Sequence, residues 1–377
     1  MNILLIGHEQ DFNGASRSLL NIADLLVERN HNVHILTSYH SGSFYGEIKK
    51  RNIRVIVAPY YRWCVVRGSR FGWIKKRLLW HLLGIVTNIR TAKSMAKYCL
   101  EQHIDIIHTN TSVINIGALI SKYGGFKHVW HIREFADEDF NMYPLVSNVE
   151  YYGFMNKFTD CFICVSKAVA DHYNLLDPKK KCVIYNGIIS AGHSSVRIKH
   201  KGRKIRILIA GRLNPAKGQD EAAMACVELW KQGIKDFELL IAGNGKRYFD
   251  IPEEFQEYVS FLGQVDDMVS LRQTVDIELM CSKAEAFGRV TAEAMLAGIP
   301  VVGSNTGGTP ELIQDGVTGF LYEKGNIKQL ADKLSILILN EELRIKMGYA
   351  SREIAARRFS IERCVDEIEQ VYRSLIP

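Results

Sequence analysis

EAFGRVTAEAMLAGIPVV, residues 285–302, decides how the second half of this 377-residue chain is read. Ala, Glu, Met and Leu in 291–297 are strong helix formers, Gly298 suits a helix C-terminus, and Pro300 forbids continuation. Ile299 to Val302 then reads as a short buried strand. The segment is loop, short helix and strand, with Gly288 at the helix entrance. A helix N-terminus offers unpaired N–H groups and a positive dipole end, which suit a phosphate. Glu285 lies just ahead of that end and Glu293 more than a turn inside it. Two carboxylates flanking a phosphate can grip hydroxyls on either side of it, and a nucleotide sugar has that build. At this spacing two solvated glutamates beside an ordinary helix remain the alternative.

The same strand-and-helix rhythm runs outward in both directions. NILLIG leads through the polar loop HEQDFNGAS into the helical SRSLLNIADLLVER, and NVHILTS, IRVIVA, IDIIHTN, KHVWHI and CFICVS follow as strands. This order predicts βαβ units around a parallel sheet, with ligands at the carboxyl ends of the strands. SAGHSSVRIKHKGRK, 190–204, lacks apolar periodicity and reads as a linker. Beyond it the pattern restarts with IRILIAG, FELLIAG, VSFLG, DIELMCS and IPVVGSN, and the tail from about Asn326 reads as helical throughout. The expected fold is therefore α/β, two doubly wound Rossmann-like domains facing a central cleft. Residues 1–190 form the first, 191–355 the second, and 356–377 a helix that packs back on the first.

Composition narrows the class. The chain is 47% hydrophobic and 24% charged, enough to bury cores of ordinary domains. No stretch approaches eighteen uncharged apolar residues, so no transmembrane helix is expected. The start, MNILLIGHEQ, lacks a basic n-region and a cleavage site and reads as a strand. Eight scattered cysteines without zinc spacing read as thiols in a reducing cytoplasm. The formal charge of +7 is unevenly spread. Arg62, Arg67, Arg70, Lys75, Lys76 and Arg77 occur with no acidic residue among them, interleaved with Trp63, Phe71, Trp73 and Trp80. With no nucleic-acid-binding signature elsewhere, residues 62–80 are expected to meet an anionic membrane surface. A solvated face backed by a half-buried helix is the alternative.

Four places carry candidate chemistry. Asn13-Gly14-Ala15-Ser16 puts a small residue at a helix start, where backbone can approach a phosphate or sugar. No G-x-G-x-x-G accompanies it, so a dinucleotide reading lacks support there. In IAGRLNPAKGQDEA, Arg212 offers a bidentate fork and Lys217 a mobile point charge. Together they can neutralise a leaving diphosphate without a metal. His131 ends a strand in VWHIREF, with Glu134 three residues on, and can bond a sugar hydroxyl or polarise the reacting centre. Asp137-Glu138-Asp139 spells D-x-D, a divalent-ion pattern, but sits in a loop rather than directly after a strand.

EAFGRVTAEAMLAG resembles the E-x7-E signature of the retaining GT-B glycosyltransferases of glycosyltransferase family 4. IAGRLNPAKGQD, LLIAGNG, SFLGQVDD, GTPELIQDGVTGFLY, CVSKAVADHY and VIYNGI occur in the order that family uses, so the resemblance spans nearly the whole chain. It implies that Glu285 accepts bonds from donor-sugar hydroxyls and that Phe287, Gly288 and Arg289 lend backbone N–H groups to sugar and phosphate. It assigns Glu293 to the ribose hydroxyls, Arg212 and Lys217 to the diphosphate, Gly14 to its approach from the opposite domain, and His131 to the transferred sugar. Three departures stand out: Arg289 where an aliphatic residue is commoner, Asn13 for a frequent glycine, and Ile-Arg-Glu after His131.

The expected activity is retaining transfer from a nucleoside-diphosphate sugar, UDP ahead of GDP, to a membrane-associated, lipid-linked oligosaccharide. Retention implies a same-face displacement in which the leaving phosphate helps deprotonate the acceptor, so no glycosidase-type carboxylate pair is required. No cofactor, bound metal or nucleic acid is expected, and the site of action is the cytoplasmic face of the membrane. Two rivals are a nucleotide-sugar epimerase of the same architecture and a non-catalytic partner subunit. The first would turn over donor without acceptor; intact Glu285, Glu293, Arg212 and Lys217 count against the second.

Overall fold

Short apolar runs bounded by polar residues become parallel strands in both halves of the chain. The computed structural model describes residues 1–66, 70–189 and 202–376, with the backbone alone for 70–82. The chain divides into two units, Met1–Gly187 with Ile361–Pro377, and Ile188–Ser360. The expected boundaries at 190/191 and 355/356 thus move by a few residues, and 190–201 of the expected linker lie outside the described residues.

Unit 1 contains β1 (Asn2–Ile6), β2 (Asn32–Thr37), β3 (Arg54–Val57), β4 (Cys64–Val66), β5 (Ile106–Thr109), β6 (Lys127–Ile132), β7 (Met142–Pro144), β8 (Cys161–Cys164) and β9 (Lys181–Val183). Seven of them form a parallel sheet in the order β3-β2-β1-β5-β6-β8-β9. The order reverses between β1 and β5, and past the carboxyl ends at such a reversal α/β sheets bind ligands. The helix Gly14–Glu28 follows β1 and buries Leu19, Leu20, Ile22, Ala23 and Leu26, the stripe its 3.6-residue period predicts.

β4 pairs antiparallel with β7, a ribbon that the sequence reading missed. It overturns one expectation. Trp63, just before β4, is 8% exposed, stacks on Trp130 at 5.7 Å and meets the tilted Tyr151 ring at 4.5 Å. Its indole N–H donates to the Ser112 carbonyl at 2.8 Å. An indole held by two rings and a hydrogen bond belongs to the core, so Trp63 leaves the expected membrane-facing set. Arg62 is exposed. Arg67 and the side chains of Arg70, Phe71, Trp73, Lys75, Lys76, Arg77 and Trp80 lie outside the described residues; the backbone there forms the start of the helix Arg70–Glu101.

Unit 2 contains β10 (Ile205–Ala210), β11 (Phe237–Ala242), β12 (Val259–Gly263), β13 (Ile277–Met280), β14 (Val301–Ser304) and β15 (Gly319–Tyr322), all parallel in the order β12-β11-β10-β13-β14-β15. Here the reversal falls between β10 and β13. Helix Arg289–Leu296 and strand β14 match the reading of 285–302, with Gly298 in the left-handed region at φ 72°. The tail is not one continuous helix. Asn340 caps a new start by accepting from Leu343 N at 2.9 Å, and the chain breaks again before Ile361.

The final helix, Ile361–Leu375, returns to unit 1. Ile361, Cys364, Val365, Ile368 and Tyr372 recur at helical spacing and join one buried cluster with Ile3, Leu5, Leu19 and Leu20. Ile368 is 0% exposed, so Ile368→Ala should cost roughly 2–5 kcal/mol by lost burial plus a cavity. Gln370→Ala, on the exposed face, should stay within about 0.5 kcal/mol. Denaturant titration of both variants checks this, and equal small shifts would mean that the helix is not part of the unit 1 core.

Candidate active site

The site in unit 2 begins with a loop that only glycine lets close. Gly218 has φ 70°, and a Cβ there would lie 2.1 Å from the Cys281 carbonyl oxygen at the end of β13. The loop after β10 therefore lies against the loop after β13, and Lys283 N donates to Ala216 O at 2.8 Å. Asn214 accepts from Ala216 N at 2.8 Å, shaping the turn that carries Lys217. The result is an ion pair between Lys217 and Glu285, and Ser282 Oγ donates to the same Glu285 oxygen at 2.8 Å. Arg212 is exposed, and its guanidinium has no partner among the described residues.

Glu285 is also fixed by its backbone. Its carbonyl accepts from Gly308 N at 2.7 Å, in the loop following β14. Gly288, at φ 89°, turns the chain into the helix Arg289–Leu296, while the buried Phe287 ring stands edge-on to Phe359 at 5.5 Å. One turn inside, Glu293 accepts from Arg272 Nη1 at 2.9 Å and from Arg289 Nη2 at 3.4 Å. Arg289 therefore uses its side chain on Glu293, beyond the backbone role expected of it.

Behind Glu293 stands a fully buried pair. Arg272 and Glu278 side chains are 2% and 0% exposed, joined through Nε at 2.9 Å and Nη2 at 3.0 Å in a two-pronged fork. Burial would lower the Arg272 pKa, but Glu278 and then Glu293 hold it raised. Burial pushes the Glu278 carboxyl up, opposed by Arg272.

In unit 1, His131 lies near the end of β6 and is 0% exposed. Its Nδ1 is 3.1 Å from His108 Nε2 and 3.3 Å from an Arg133 nitrogen, while its Nε2 has no hydrogen-bond partner. Burial, then Arg133 and His108, press its pKa well below the ordinary histidine value. Glu134 turns away from it to accept from Thr111 Oγ1 at 2.7 Å and from Ser112 N and Oγ, each at 2.6 Å. The D-x-D residues take different partners: Asp137 lies 3.0 Å from His172 Nε2, and Asp139 accepts from Phe135 N at 3.0 Å. Gly14 opens the helix after β1, exposed, but Glu9 already accepts there from Ser16 N at 2.9 Å.

Past the carboxyl ends of β1, β2 and β3, a cavity of about 470 Å3 is lined by His8, Tyr39, Tyr60, Tyr61 and Arg62 among others. Burial and then the Arg62 charge depress His8 to about 3, so it is neutral at pH 7. The Tyr60 hydroxyl is committed to the carbonyls of Gly7 and Leu36.

The sequence reading named neither this cavity nor Ser282, Arg272 and Glu278. One signal was available: Glu278 interrupts the strand run DIELM, where a buried carboxylate demands a buried cation. Cavity-lining residues spread over three strand ends carry no such local mark.

Two units of this topology, the second with cation and carboxylates at its strand reversal, are the Rossmann-like domains of a GT-B glycosyltransferase. Residues 12–190 match Glycosyltransferase Family 4 and residues 194–354 match Glycosyl transferases group 1. The chain belongs to glycosyltransferase family 4 and is a glycosyltransferase. It is 25% identical to the N-acetyl-alpha-D-glucosaminyl L-malate synthase of Bacillus anthracis, over 93% of this chain and 91% of that one. It is 34% identical to the phosphatidyl-myo-inositol mannosyltransferase of Mycobacterium leprae over 45% of this chain and 46% of that one. Among solved structures, HepE of Anabaena in complex with UDP superposes with a TM-score of 0.78 at 22% identity, covering 100% of both chains. A Rickettsia africae glycosyltransferase gives 0.80 at 21% identity, over 99% of this chain and 98% of that one.

Arg272→Met would strand Glu278 as an unpaired buried carboxylate, at a cost on the order of 3–5 kcal/mol to unit 2. The Glu278 pKa is already raised and would rise further without the guanidinium. A carboxyl whose folded pKa lies above its unfolded value binds its proton more tightly when folded. Its stability is therefore present at low pH and lost as pH rises through the folded pKa. Chemical denaturation should show the deficit of Arg272→Met relative to wild type shrinking from pH 8 to pH 5; a deficit independent of pH would contradict the assignment.

Proposed function

We propose that this protein transfers a sugar, with retention of anomeric configuration and without a metal, from a nucleoside-diphosphate sugar to a membrane-associated acceptor. One observation carries the reading: Lys217, Glu285 and Ser282 are joined beside the entrance of the helix that holds Glu293. A cation for phosphate and one carboxylate for hydroxyls thus stand together ahead of a helix that carries the second carboxylate one turn in, and the dipole at a helix start favours an anion. HepE structures with UDP and with UDP-glucose support a uridine nucleotide as donor, ahead of GDP.

On this reading Arg212 and Lys217 neutralise the diphosphate, Glu285 accepts from the sugar hydroxyls and Glu293 from the ribose. Backbone of Phe287, Gly288 and Arg289, and of Gly14 in unit 1, serves sugar and phosphate, and His131 serves the transferred sugar. The departing diphosphate, stabilised by cations, takes the acceptor proton on the same face, which gives retention. The acceptor enters the cavity beyond β1, β2 and β3, where Arg62 is the fixed cation and tyrosine rings offer stacking faces. The names of the Mycobacterium leprae mannosyltransferase and of the Staphylococcus aureus capsular polysaccharide glycosyltransferase CapM support a lipid-linked or polysaccharide acceptor. Among the described residues no helix is long and apolar enough to cross a membrane. Attachment would instead be peripheral, at the cytoplasmic face, through Arg62–Trp80 without Trp63.

Incubation with UDP-, GDP- and dTDP-sugars and lipid-linked acceptors, with products weighed and their anomeric configuration read by NMR, tests the proposal. Isomerised sugar nucleotide without acceptor would make it an epimerase, and an inverted product would overturn retention. Activity should survive EDTA and fall sharply in Arg212→Ala or Lys217→Ala; loss in EDTA with rescue by manganese would refute metal independence.

Glu285→Ala should lose roughly 1.5–3 kcal/mol, about ten- to a hundredfold in turnover efficiency. Because Glu285 also engages Lys217, the variant frees that cation, so affinity for the bare nucleoside diphosphate should hold or rise. Equal loss of both affinities in calorimetry would contradict the roles.

Each Lys or Arg near an anionic surface contributes about 1 kcal/mol, so Arg67, Arg70, Lys75 and Lys76 suffice for reversible attachment. Binding should occur on anionic but not neutral liposomes, weaken with salt, and vanish when these four become glutamate. Equal binding of wild type and this variant at low salt would remove the membrane reading.

A further inference from the structure

Three side chains behind His131 decide which of its nitrogens carries the proton. His108 Nδ1 lies 2.5 Å from the Tyr372 hydroxyl, and His108 Nε2 lies 3.1 Å from His131 Nδ1. An Arg133 guanidinium nitrogen stands 3.3 Å from the same His131 Nδ1. Arg133 is itself fixed, donating through Nε to Asn110 and through Nη1 to Asn186. All of these groups are buried.

Two proton arrangements satisfy the two histidines alone. In one, Tyr372 O–H donates to His108 Nδ1, His108 Nε2–H donates to His131 Nδ1, and His131 keeps its proton on Nε2. In the other every arrow reverses, and His131 is protonated on Nδ1. Two independent contacts separate them. A guanidinium has only donors, so Arg133 needs a lone pair, not a proton, on His131 Nδ1. The reversed chain would also make Tyr372 accept from His108, leaving its own buried O–H without an acceptor among the described residues. An unpaired buried donor costs about 1–3 kcal/mol. Both contacts select the first arrangement.

We propose that Tyr372, His108 and Arg133 are positioning residues that lock His131 as the neutral Nε2–H tautomer. His131 then acts as a hydrogen-bond donor to a substrate oxygen, not as a general base. The consequence rests on the assignment of His131 to the transferred sugar. Its Nε2 is buried without a partner, and buried N–H groups without acceptors are rare in folded proteins. An oxygen that arrives with substrate supplies the missing acceptor. Proton uptake by His131 would create an imidazolium beside a guanidinium, in a site where burial already disfavours charge. The acceptor's proton must therefore leave by another route, in keeping with its removal by the departing phosphate.

The test is long-range 1H–15N correlation on the full-length protein with 15N-labelled histidine, the His131 signals assigned by loss in His131→Gln. At pH 7, Nδ1 should show an unprotonated shift and Nε2 a protonated one. Arg133→Met removes one of the two selecting contacts and should increase the Nδ1–H population, whereas Tyr372→Phe, which leaves Arg133 in place, should shift it less. Protonation on Nδ1 or on both nitrogens in the wild type would overturn the proposal. That measurement needs no variant, so a misfolded Arg133→Met leaves it decisive. Adding a sugar nucleotide that the enzyme turns over should move the Nε2–H signal. An unmoved signal, with Nε2 protonated, would refute the donor role and the assignment of His131 to the sugar while leaving the tautomer standing.

Discussion

A single buried guanidinium, Arg272, joins the elements that the second unit needs in order to present a site. It comes from the helix Met268–Gln273, grips Glu278 on β13 with two prongs, and reaches Glu293 on the helix Arg289–Leu296. A carboxylate inside a sheet–helix interface is costly unless paired, so the pairing fixes where helix and strand meet. Glu293 is thereby aimed from behind. The short helix has only eight residues and little stability of its own, so an anchor at its second turn matters more than its propensity.

Unit 1 uses a buried guanidinium for a different end. Arg133 donates to Asn110 and Asn186, which are neutral amides, and its charge bears on two histidines. Where Arg272 pairs with two carboxylates, Arg133 adds to the burial that presses the pKa of both imidazoles down. The same residue type thus aims a hydrogen-bond acceptor in one unit and, on the proposal above, a donor in the other. What differs is the partners that burial forces upon it.

The fold was legible wherever one local run contained its own cause. NILLI, FELLIA and IPVV announce strands by composition, and 285–302 carries its helix formers, its stop and its two carboxylates within eighteen residues. Reading failed where the cause lay far along the chain. Trp63 beside Arg62 looks like an interfacial pair until Trp130 and Tyr151 arrive from later strands and helices to bury it. The three-residue strands β4, β7 and β9 are too short to show a period. His131 was legible as a strand-end histidine, yet its character comes from His108, 23 residues before it, and through that residue from Tyr372, 264 residues from His108. Glu285 was legible as a carboxylate ahead of a helix. Its pairing with Lys217 was not, because that depends on Gly218 letting two loops touch.

The two glutamates of the opening stretch are held in unlike ways, and the difference fits their proposed duties. Glu293 is paired with Arg272, only 2% exposed and gripped by a second carboxylate, so that partner cannot leave without stranding Glu278. Glu293 is therefore held in its orientation without a ligand, which suits its proposed contact to the pentose of the nucleotide. Glu285 is paired with Lys217, 35% exposed on a flexible stem and free to exchange partners. A diphosphate that draws Lys217 away leaves Glu285 facing a lost counter-charge. A sugar attached to that diphosphate brings hydroxyls that replace it. On the proposed roles, phosphate and sugar recognition would be coupled through one ion pair: a bare diphosphate would satisfy Lys217 and leave Glu285 with Ser282 alone, whereas the intact donor would satisfy both halves. A site with those roles would favour the donor over its own product by a penalty, not by an added contact, the same logic by which buried polar groups left unpaired reject an incomplete ligand.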